Sequence, residues 1–420
     1  MIIFFIGVGL GMILAAVIAN FRSSEKHLER ALQPAYGIDD PQFVRTISGL
    51  LGAPLTAGND VRALVNGVQI FPAMLEAIRG ARKSITFETF IYWRGDIGRK
   101  FAQALAERAR AGVRVLVLLD SVGSNKMEPD LVRLIREAGA EIEKYHPVSW
   151  RNLSRINNRT HRKLLIIDGR IGFTGGVGIA DEWAGNAEDE HHWRDTHFRI
   201  EGPVVTQMQA AFMTNWIKTR STVEHTEAFF PEQPETGPHL AQVFHSSPQE
   251  GSEDIRLMYH LSINAARRYI LLEQAYFVPD ELTLKLLVAA LRRGVEVRVI
   301  TPGSHIDHKV VRRASRACWG QLLEAGARMY EYQPTNLHAK MMLIDGLWAS
   351  VGSTNFDNRS FQLNDEANLN IYDTRFCAEL EALFEADLKR SQEVTLTAWQ
   401  NRPRSEKFRE RLAFLLRSQL

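Results

Sequence analysis

The residues of this sequence that are best suited to chemistry occur in two copies of one short pattern. Each copy holds a histidine, a lysine two residues later and an aspartate five residues after that: His161, Lys163 and Asp168, and His338, Lys340 and Asp345. Residues two apart on a strand point to the same face, so each copy would present an imidazole beside an ammonium group. A second copy at matching offsets disfavours the simpler interpretation, an ordinary hairpin with a polar strand end.

Two imidazoles and two ammonium groups, brought together, match the requirements of displacement at a phosphodiester. A neutral imidazole can attack phosphorus and form a phosphohistidine. The second imidazole, protonated, can give a proton to the leaving alcohol and later take one from the incoming hydroxyl, and its pKa near ~6.5 suits both tasks. Lys163 and Lys340 would hold the non-bridging oxygens as charge accumulates. This chemistry requires neither a metal nor another cofactor.

Each imidazole needs an acceptor for its second nitrogen, and two downstream carboxylates are candidates. They are Asp195 in WRDTH and Glu366 in LNDEAN. A salt bridge to a neighbouring arginine would explain Asp195 without chemistry, and a solvated loop would explain Glu366. Asp168 and Asp345 stay in the candidate catalytic set as members of the pattern, although Asp-Gly turns also explain them.

The elements that must position these residues are predicted to be hairpins. An apolar run follows each lysine, at 164–167 and 341–344, and indicates a buried strand. Asp-Gly comes next in both copies and is typical of a two-residue hairpin turn. Counting back across that turn places Ser353 opposite His338, and Gly176 opposite His161. Strands alternating with helices on either side predict an α/β fold with a layered core.

The order of elements around the first copy recurs around the second. The predicted strand 84–92 has Glu88 at its centre, and the predicted strand 269–277 has Glu273 there. A carboxylate inside an apolar strand is costly to bury, so we expect each to have a partner, such as a core arginine. The first half also carries an insertion, HPVSWRNLSRINNR, that the second half lacks.

Size, composition and charge indicate a globular protein with room for two cores. The chain has 420 residues, 45% of them hydrophobic and 24% charged, with a formal net charge of +2. That balance gives no support for a nucleic-acid binder. Cys318 and Cys377 form no disulfide framework and fit a reducing compartment. The histidine-rich segment EDEHHWRDTH fits no zinc-ligand spacing, and we interpret it as an acidic solvated loop beside a strand.

The ends of the chain have the composition of membrane-active segments. Residues 1–20 contain no charged side chain, and as a helix the first 19 would span ~28 Å. A cleaved signal peptide is the rival interpretation, but its positive n-region is missing. Charges at Arg22, Lys26 and Arg30 predict that the following chain stays cytoplasmic. The tail places Phe408, Leu412, Leu415 and Leu416 on one helical face, which suits a membrane surface and a helix docked on the domain equally well.

These features predict the following organisation along the chain. We expect a transmembrane anchor, a juxtamembrane connector, a first domain, a linker, a second domain and a basic amphipathic tail, at 1–20, 21–58, 59–225, 226–240, 241–395 and 396–420.

The pattern H-x-K-x4-D followed by G-[SG]-x-N, whose first part is present twice, resembles that of the phospholipase D superfamily, and within it the bacterial cardiolipin synthases. The first copy departs from the pattern, since Gly176 and Gly178 occupy the places of Ser353 and Asn355. GGVGIADEW, WRDTHFRIEGPVV, EQAYFVPD and NLHAK strengthen the resemblance. It implies two pseudo-twofold-related α/β sandwich halves packed around one active site. His161 and His338 would be nucleophile and general acid/base, with His161 favoured as nucleophile. Ser353 and Asn355 would bind phosphate with the lysines, and Glu366 would orient His338.

The same resemblance implies transfer of a phosphatidyl group from phosphatidylglycerol to a second lipid hydroxyl, with release of glycerol. The partners would be membrane phospholipids, with phosphatidylglycerol or phosphatidylethanolamine as acceptor, at the bacterial inner membrane. The anchor, the tail and the basic-aromatic insertion around Trp150, Arg151, Arg155 and Arg159 would hold the site at an anionic interface. A hydrolytic phospholipase D, a nuclease of the superfamily and a non-enzymatic binding protein are the alternatives.

Overall fold

The computed structural model describes residues 11–12, 32–147, 157–247 and 253–419. The predicted anchor lies almost wholly outside these ranges, as do Trp150, Arg151 and Arg155 of the insertion. Within the described ranges, no helix combines the length and the apolar character needed to cross a bilayer.

Strands and helices alternate through most of the chain. The helices are α1 Pro41–Leu50, α2 Asn66–Gly80, α3 Asp96–Arg110, α4 Pro129–Glu137, α5 Val205–Arg220, α6 Asp254–Ala265, α7 Glu281–Arg292, α8 Lys309–Glu324, α9 Asn358–Gln362, α10 Thr374–Leu388, α11 Leu396–Gln400 and α12 Arg404–Phe414. The strands are β1 Thr56–Val65, β2 Ser84–Thr89, β3 Arg114–Asp120, β4 Glu141–Tyr145, β5 Leu164–Ile167, β6 Ile171–Gly175, β7 Thr196–Glu201, β8 His239–Ser246, β9 Tyr269–Gln274, β10 Phe277–Val278, β11 Glu296–Pro302, β12 Arg328–Tyr332, β13 Lys340–Ile344, β14 Trp348–Gly352, β15 Phe356–Asp357, β16 Glu366–Tyr372 and β17 Ser391–Val394.

The main sheet repeats one strand order in each half. It runs β17-β12-β11-β9-β13-β14-β16-β8-β1-β7-β6-β5-β2-β3-β4. Reading outward from the centre, β8-β16-β14-β13-β9-β11-β12 matches β1-β7-β6-β5-β2-β3-β4 strand for strand. The halves meet where β1 and β8 pair antiparallel. An α/β fold of two related halves is therefore confirmed, and the predicted domain boundaries stay predictions.

Helices cover both faces of this sheet and create three apolar cores. One core lies in each half, and the third packs α5 and α10 against strands of both halves. In the third core, Phe212 and Trp216 of α5 share a cluster with Phe376 and Phe384 of α10. Because this core belongs to both halves, it fixes the position of one half relative to the other.

Both predicted hairpins form, but their turns are one residue longer than predicted. Ile344 pairs with Trp348 and Ile167 with Ile171, which leaves three residues in each loop. Asp345 and Gly346 both adopt positive φ, at 54° and 67°. The predicted register, with Ser353 opposite His338 and Gly176 opposite His161, is therefore wrong by one residue. Asp-Gly occurs in three-residue hairpin loops as well as in two-residue ones.

Glu88 and Glu273 lie within buried strands, and each has partners. Glu88 accepts hydrogen bonds from Thr160 Oγ1 at 2.5 Å and Asn215 Nδ2 at 2.8 Å. Burial and then Asp387 raise the pKa of Glu273, against the opposing charge of Arg194, to about 8. A core arginine thus lowers the pKa of each carboxylate against the effect of burial. Arg194 does so for Glu273, and Arg162 does so for Glu88.

Candidate active site

The backbone segments that carry the two histidines cross between the halves. His161 N–H donates to Asp365 O at 2.8 Å, and Asp365 N–H donates to Arg159 O at 2.8 Å. In the other half, His338 N–H donates to Arg194 O at 2.7 Å. Each histidine is thereby hydrogen-bonded to the backbone of the other half, at the residue that immediately precedes a candidate carboxylate.

This crossing pairs each imidazole with the opposite half's carboxylate. His161 Nδ1 lies 3.0 and 3.1 Å from the two carboxylate oxygens of Glu366. His338 Nδ1 lies 3.0 Å from Asp195 Oδ2. The expectation that Glu366 orients His338 is therefore wrong, because the backbone hydrogen bond between His161 and Asp365 places Glu366 beside His161. Both rings turn Nε2 away from the carboxylate, which fixes the nitrogen available for chemistry.

Both imidazoles open into one cavity of about 500 Å³ between the halves. Lys163 and Asn355 also line it. The two rings therefore face one shared cavity and not separate clefts, as expected from the sequence. A cavity of this size is large enough for a lipid headgroup.

The two lysines lie beside their histidines, as the spacing predicts. Lys163 Nζ donates to His161 O at 2.8 Å, and Lys340 Nζ donates to His338 O at 2.6 Å. Burial and, to a lesser degree, the nearby charge of Lys340 together lower the pKa of Lys163 to about 7. Burial likewise lowers the pKa of Lys340 to about 8, while Asp195 opposes the shift.

Burial also favours the neutral form of both imidazoles. It lowers the pKa of His161 to about 4, against the opposing carboxylate of Glu366. Burial and Lys340 hold the pKa of His338 well below its ordinary value. A neutral ring is the form that attacks phosphorus. A bound phosphodiester anion would raise the pKa of every cation around it, which is how one ring would become an acid when substrate binds.

The two carboxylates respond differently to the same burial. Burial alone would raise the pKa of Glu366, but His161, Lys163 and the Ser353 hydroxyl together outweigh it, and the net pKa is lowered. At Asp195 burial prevails and the pKa is raised, although Lys340 and Trp183 oppose it. The Glu366–His161 pair therefore has the more firmly ionised carboxylate.

Ser353 lies behind the site and not at its surface. Its hydroxyl donates to Glu366 Oε2 at 2.5 Å and is fully buried. We therefore correct its predicted role: it holds the carboxylate that orients His161. Asn355 does reach the cavity, and within the described part of the chain its Oδ1 makes no hydrogen bond.

In the first half, a tryptophan donates a hydrogen bond to the carboxylate, as Ser353 does in the second half. Trp183 Nε1 donates to Asp195 Oδ2 at 2.8 Å. Gly176 leaves the space for that carboxylate, since a Cβ on Gly176 would lie 2.4 Å from Asp195 Oδ1. Gly176 occupies the place that Ser353 has in the second copy, and the close approach of Asp195 gives a steric reason for a residue without a side chain there.

Asp168 and Asp345 lie in the hairpin loops, at the far end of the strands from the histidines. Asp168 accepts from the backbone N–H groups of Arg82, Lys83 and Ser84 at 2.7–3.1 Å. Asp345 accepts in the same way from residues 267–269. Their place in the candidate catalytic set is therefore corrected, and the turn interpretation accounts for them.

Several cavity residues were missed by the sequence analysis. Aromatic rings surround His338, with centroids 5.1 Å away at Trp183, 5.7 Å at Trp193 and 6.5 Å at Tyr276. Tyr276 donates its hydroxyl to Asp307 at 2.7 Å, and Asp307 also lines the cavity. Trp183, Trp193 and Tyr276 lie inside the flanking phrases noted above, but no spacing rule marks them as site residues.

The histidine-rich segment is divided between surface and core. His191 is exposed, and His192 Nδ1 contacts Asp189 at 2.8 Å. His197 is buried in β7, and burial lowers its pKa to about 4. In the described ranges, no three potential ligands gather into a metal-binding group.

Comparisons with known proteins agree with this geometry. The family described as "Cardiolipin synthase, PLD-like domain" matches residues 74–216 and 260–388, one segment in each half. "Cardiolipin synthase A" of Pseudomonas fluorescens is 35% identical over 84% of this chain and 73% of its own length. A "Cardiolipin synthase" of Geobacillus sp. is 37% identical over 87% and 73%. One of Listeria monocytogenes is 33% identical over 94% and 83%.

Solved structures share the fold at much lower identity. The phosphatidylserine synthase of Haemophilus influenzae superposes with a TM-score of 0.69 and 13% identity, over 90% of this chain and all of that one. The polyphosphate kinase of Porphyromonas gingivalis gives 0.55 and 13%, over 89% of this chain and 53% of that one.

Proposed function

This chain belongs to the cardiolipin synthase family with phospholipase D-like domains, and from that premise we propose how its site transfers a phosphatidyl group. It is a cardiolipin synthase-like phosphatidyltransferase. The proposal concerns the covalent intermediate, the role of each residue and the lipids used. The observation that carries it is the opening of both imidazoles into one cavity.

In the first step, His161 Nε2 attacks the phosphorus of phosphatidylglycerol. A P–N bond forms as the P–O bond to the glycerol headgroup breaks, and His338 gives the leaving oxygen a proton. Lys163 and Lys340 stabilise the charge that develops on the non-bridging oxygens. Glycerol leaves, and the phosphatidyl group stays on His161.

In the second step, the hydroxyl of an acceptor lipid takes the place of glycerol. His338, now neutral, removes the hydroxyl proton, and the oxygen attacks phosphorus as the P–N bond breaks. His161 is restored, and His338 again carries the proton it began with. With phosphatidylglycerol as acceptor the product is cardiolipin; with water it would be phosphatidic acid.

Two electrostatic interactions support this division of roles between the histidines. Glu366, whose pKa is lowered, lies against His161 Nδ1 and would stabilise the positive charge of a phosphorylated imidazole. Asp307 acts on the other ring, where it raises a pKa that burial and Lys340 lower. A carboxylate near His338 favours the protonated form that an acid requires.

A substrate whose leaving group needs no proton separates nucleophile from acid. With phosphatidyl-p-nitrophenol, His338→Ala should release one burst of p-nitrophenolate and retain a phosphatidyl group on His161, detectable by mass spectrometry of the intact chain. His161→Ala should give neither burst nor adduct. An adduct on residue 338 in His161→Ala would reverse the roles, and the absence of any adduct in both variants would defeat the covalent mechanism.

The lipid products distinguish transfer from hydrolysis. With vesicles of phosphatidylglycerol alone, the full chain should form cardiolipin and release glycerol in equal amounts. Phosphatidic acid as the only product would contradict transfer. Adding phosphatidylethanolamine to the vesicles shows whether it competes as acceptor.

A further inference from the structure

We propose that the C-terminal helix α12 and the residues after it dock on an anionic phospholipid bilayer and hold the cavity mouth against it. This inference rests on the proposed function, because it explains how a buried site receives a lipid headgroup.

One face of α12 is fastened to the protein. Glu410 is only 2% exposed and accepts from Arg316 Nε at 3.1 Å and Arg402 Nε at 2.6 Å. Ala413 is buried beside it, where α12 packs against α8. The helix is therefore held in a fixed orientation.

The opposite face carries an apolar stripe with no covering element in the described chain. We call these four residues the tail stripe, and their exposures are 69% for Phe408, 57% for Leu412, 76% for Leu415 and 53% for Leu416. Exposed large apolar side chains in one contiguous group mark interaction surfaces. A helix already docked by its other face has no need of this stripe for folding.

The tail stripe adjoins the mouth of the active-site cavity. Gln419, three residues after Leu416, lines that cavity. Its side chain accepts from Asn157 Nδ2 at 2.9 Å, and Asn358 Nδ2 donates to Arg417 O at 3.2 Å. These contacts fix the end of the tail at the rim.

Two other exposed apolar residues stand on elements that reach the same cavity. Val310 is 40% exposed in the first turn of α8, next to His308, which lines the cavity. Val122 is 42% exposed in the loop that leads to Lys126, another lining residue. Exposed apolar side chains thus also occur on two other elements that contribute lining residues to the cavity.

The charges beside the tail stripe identify the partner. Arg409, Arg411 and Arg417 are exposed, Glu410 is buried and paired, and Glu406 is the one exposed acidic residue of α12. Apolar side chains with arginines alongside favour the interface of an anionic bilayer. A second protein with an apolar groove would not require this excess of positive charge.

A fluorescent probe tests docking without relying on activity. Cys318 and Cys377 are buried, so a cysteine introduced by Leu412→Cys can be labelled selectively with an environment-sensitive dye. The full chain is reconstituted in mixed phosphatidylcholine and phosphatidylglycerol vesicles that contain a spin-labelled lipid. We expect the dye at residue 412 to be quenched.

Val223→Cys is the matched control. Val223 is 53% exposed, and its neighbour Glu224 pairs with Arg114 at the start of β3, the end of that strand away from the cavity. The dye at residue 223 should not be quenched. Equal quenching at both positions, or none at 412, would overturn the proposal. A change at 412 that follows protein concentration instead of spin-labelled lipid would assign the stripe to a second copy and also overturn it.

Turnover gives a second readout. Leu412→Glu with Leu415→Glu should lower turnover of long-chain phosphatidylglycerol in vesicles by about tenfold or more. Turnover of a short-chain phosphatidylglycerol, dispersed as monomers, should not change, and Val223→Glu should affect neither. Equal loss on both substrates would overturn the proposal. If no variant turned over any lipid, the proposed function would fail, and quenching would still decide the docking.

Discussion

At the scale of single residues, the active site depends on contacts between residues of the two halves. Each histidine comes from one half and its carboxylate from the other, with Nδ1 to oxygen distances of 3.0 Å in both pairs. Neither half can therefore hold a correctly oriented imidazole by itself. This arrangement explains why a duplicated chain is needed for a single chemical site.

Glu366→Gln should lower kcat by about a hundredfold, because the amide cannot stabilise the charged ring of His161 as a carboxylate does. Ser353→Ala removes only the hydroxyl that supports Glu366, so we expect about a tenfold loss. Steady-state turnover of phosphatidylglycerol measures both. A Glu366→Gln protein that loses less activity than Ser353→Ala would contradict the orienting role.

The pH dependence of kcat/KM should show the lysines on its alkaline side. The free enzyme needs a neutral His161, so kcat/KM should rise with pH through about 4. It should then fall in stages, first as His338, the acid, loses its proton at a pKa held well below its ordinary value. The limb above that belongs to Lys163 and Lys340, which lose their protons through about 7 and about 8. Lys163→Arg keeps its charge and should move the alkaline limb upward.

Lys100→Arg, on the exposed side of α3, is the control for this profile and should leave it unchanged. An alkaline limb that stays in place in Lys163→Arg would assign it to another group.

At the scale of elements, the hairpins and the crossed bridges determine where each side chain points. Their loops are closed by aspartates that bind three backbone N–H groups each. The strands then lead back to the histidines at the other end. A small residue is required where a carboxylate passes close to the backbone, as at Gly176.

Gly176→Ala should reduce turnover about as much as Asp195→Asn, about a hundredfold, because its Cβ would lie 2.4 Å from Asp195 Oδ1 and displace it from His338. Gly80→Ala is the matched control, since a Cβ there meets nothing within 4 Å. A Gly176→Ala protein with full activity would show that Asp195 can move without loss of function.

The elements themselves could be predicted from sequence, whereas their exact pairing could not. Apolar runs at 164–167 and 341–344 correspond to β5 and to most of β13. The predicted length of the Asp-Gly hairpin loops was wrong by one residue, because Asp-Gly occurs in both two-residue and three-residue loops. No local sequence signal indicated that Asp195 and Glu366 would each contact the histidine of the opposite half. That pairing arises from backbone bridges at 160–365 and 194–337.

At the scale of the whole molecule, a pseudo-twofold sheet produces a site that is not symmetric. Ser353 supports Glu366 in one half, and Trp183 supports Asp195 in the other. Aromatic rings surround His338, while Phe90 lies against His161 with centroids 5.1 Å apart. These differences allow two equivalent positions to carry different roles. The duplication could be predicted from the sequence, but the tertiary differences required the structure.

In the proposed mechanism, both imidazoles act on one phosphorus atom through a phosphatidyl-enzyme intermediate. The most direct measurement is the stereochemical course at phosphorus, using phosphatidylglycerol with a chiral phosphorothioate. Two successive displacements invert the centre twice, so the product should retain the configuration of the substrate. Inversion would mean a single direct transfer between lipids and would rule out the phosphatidyl-enzyme intermediate.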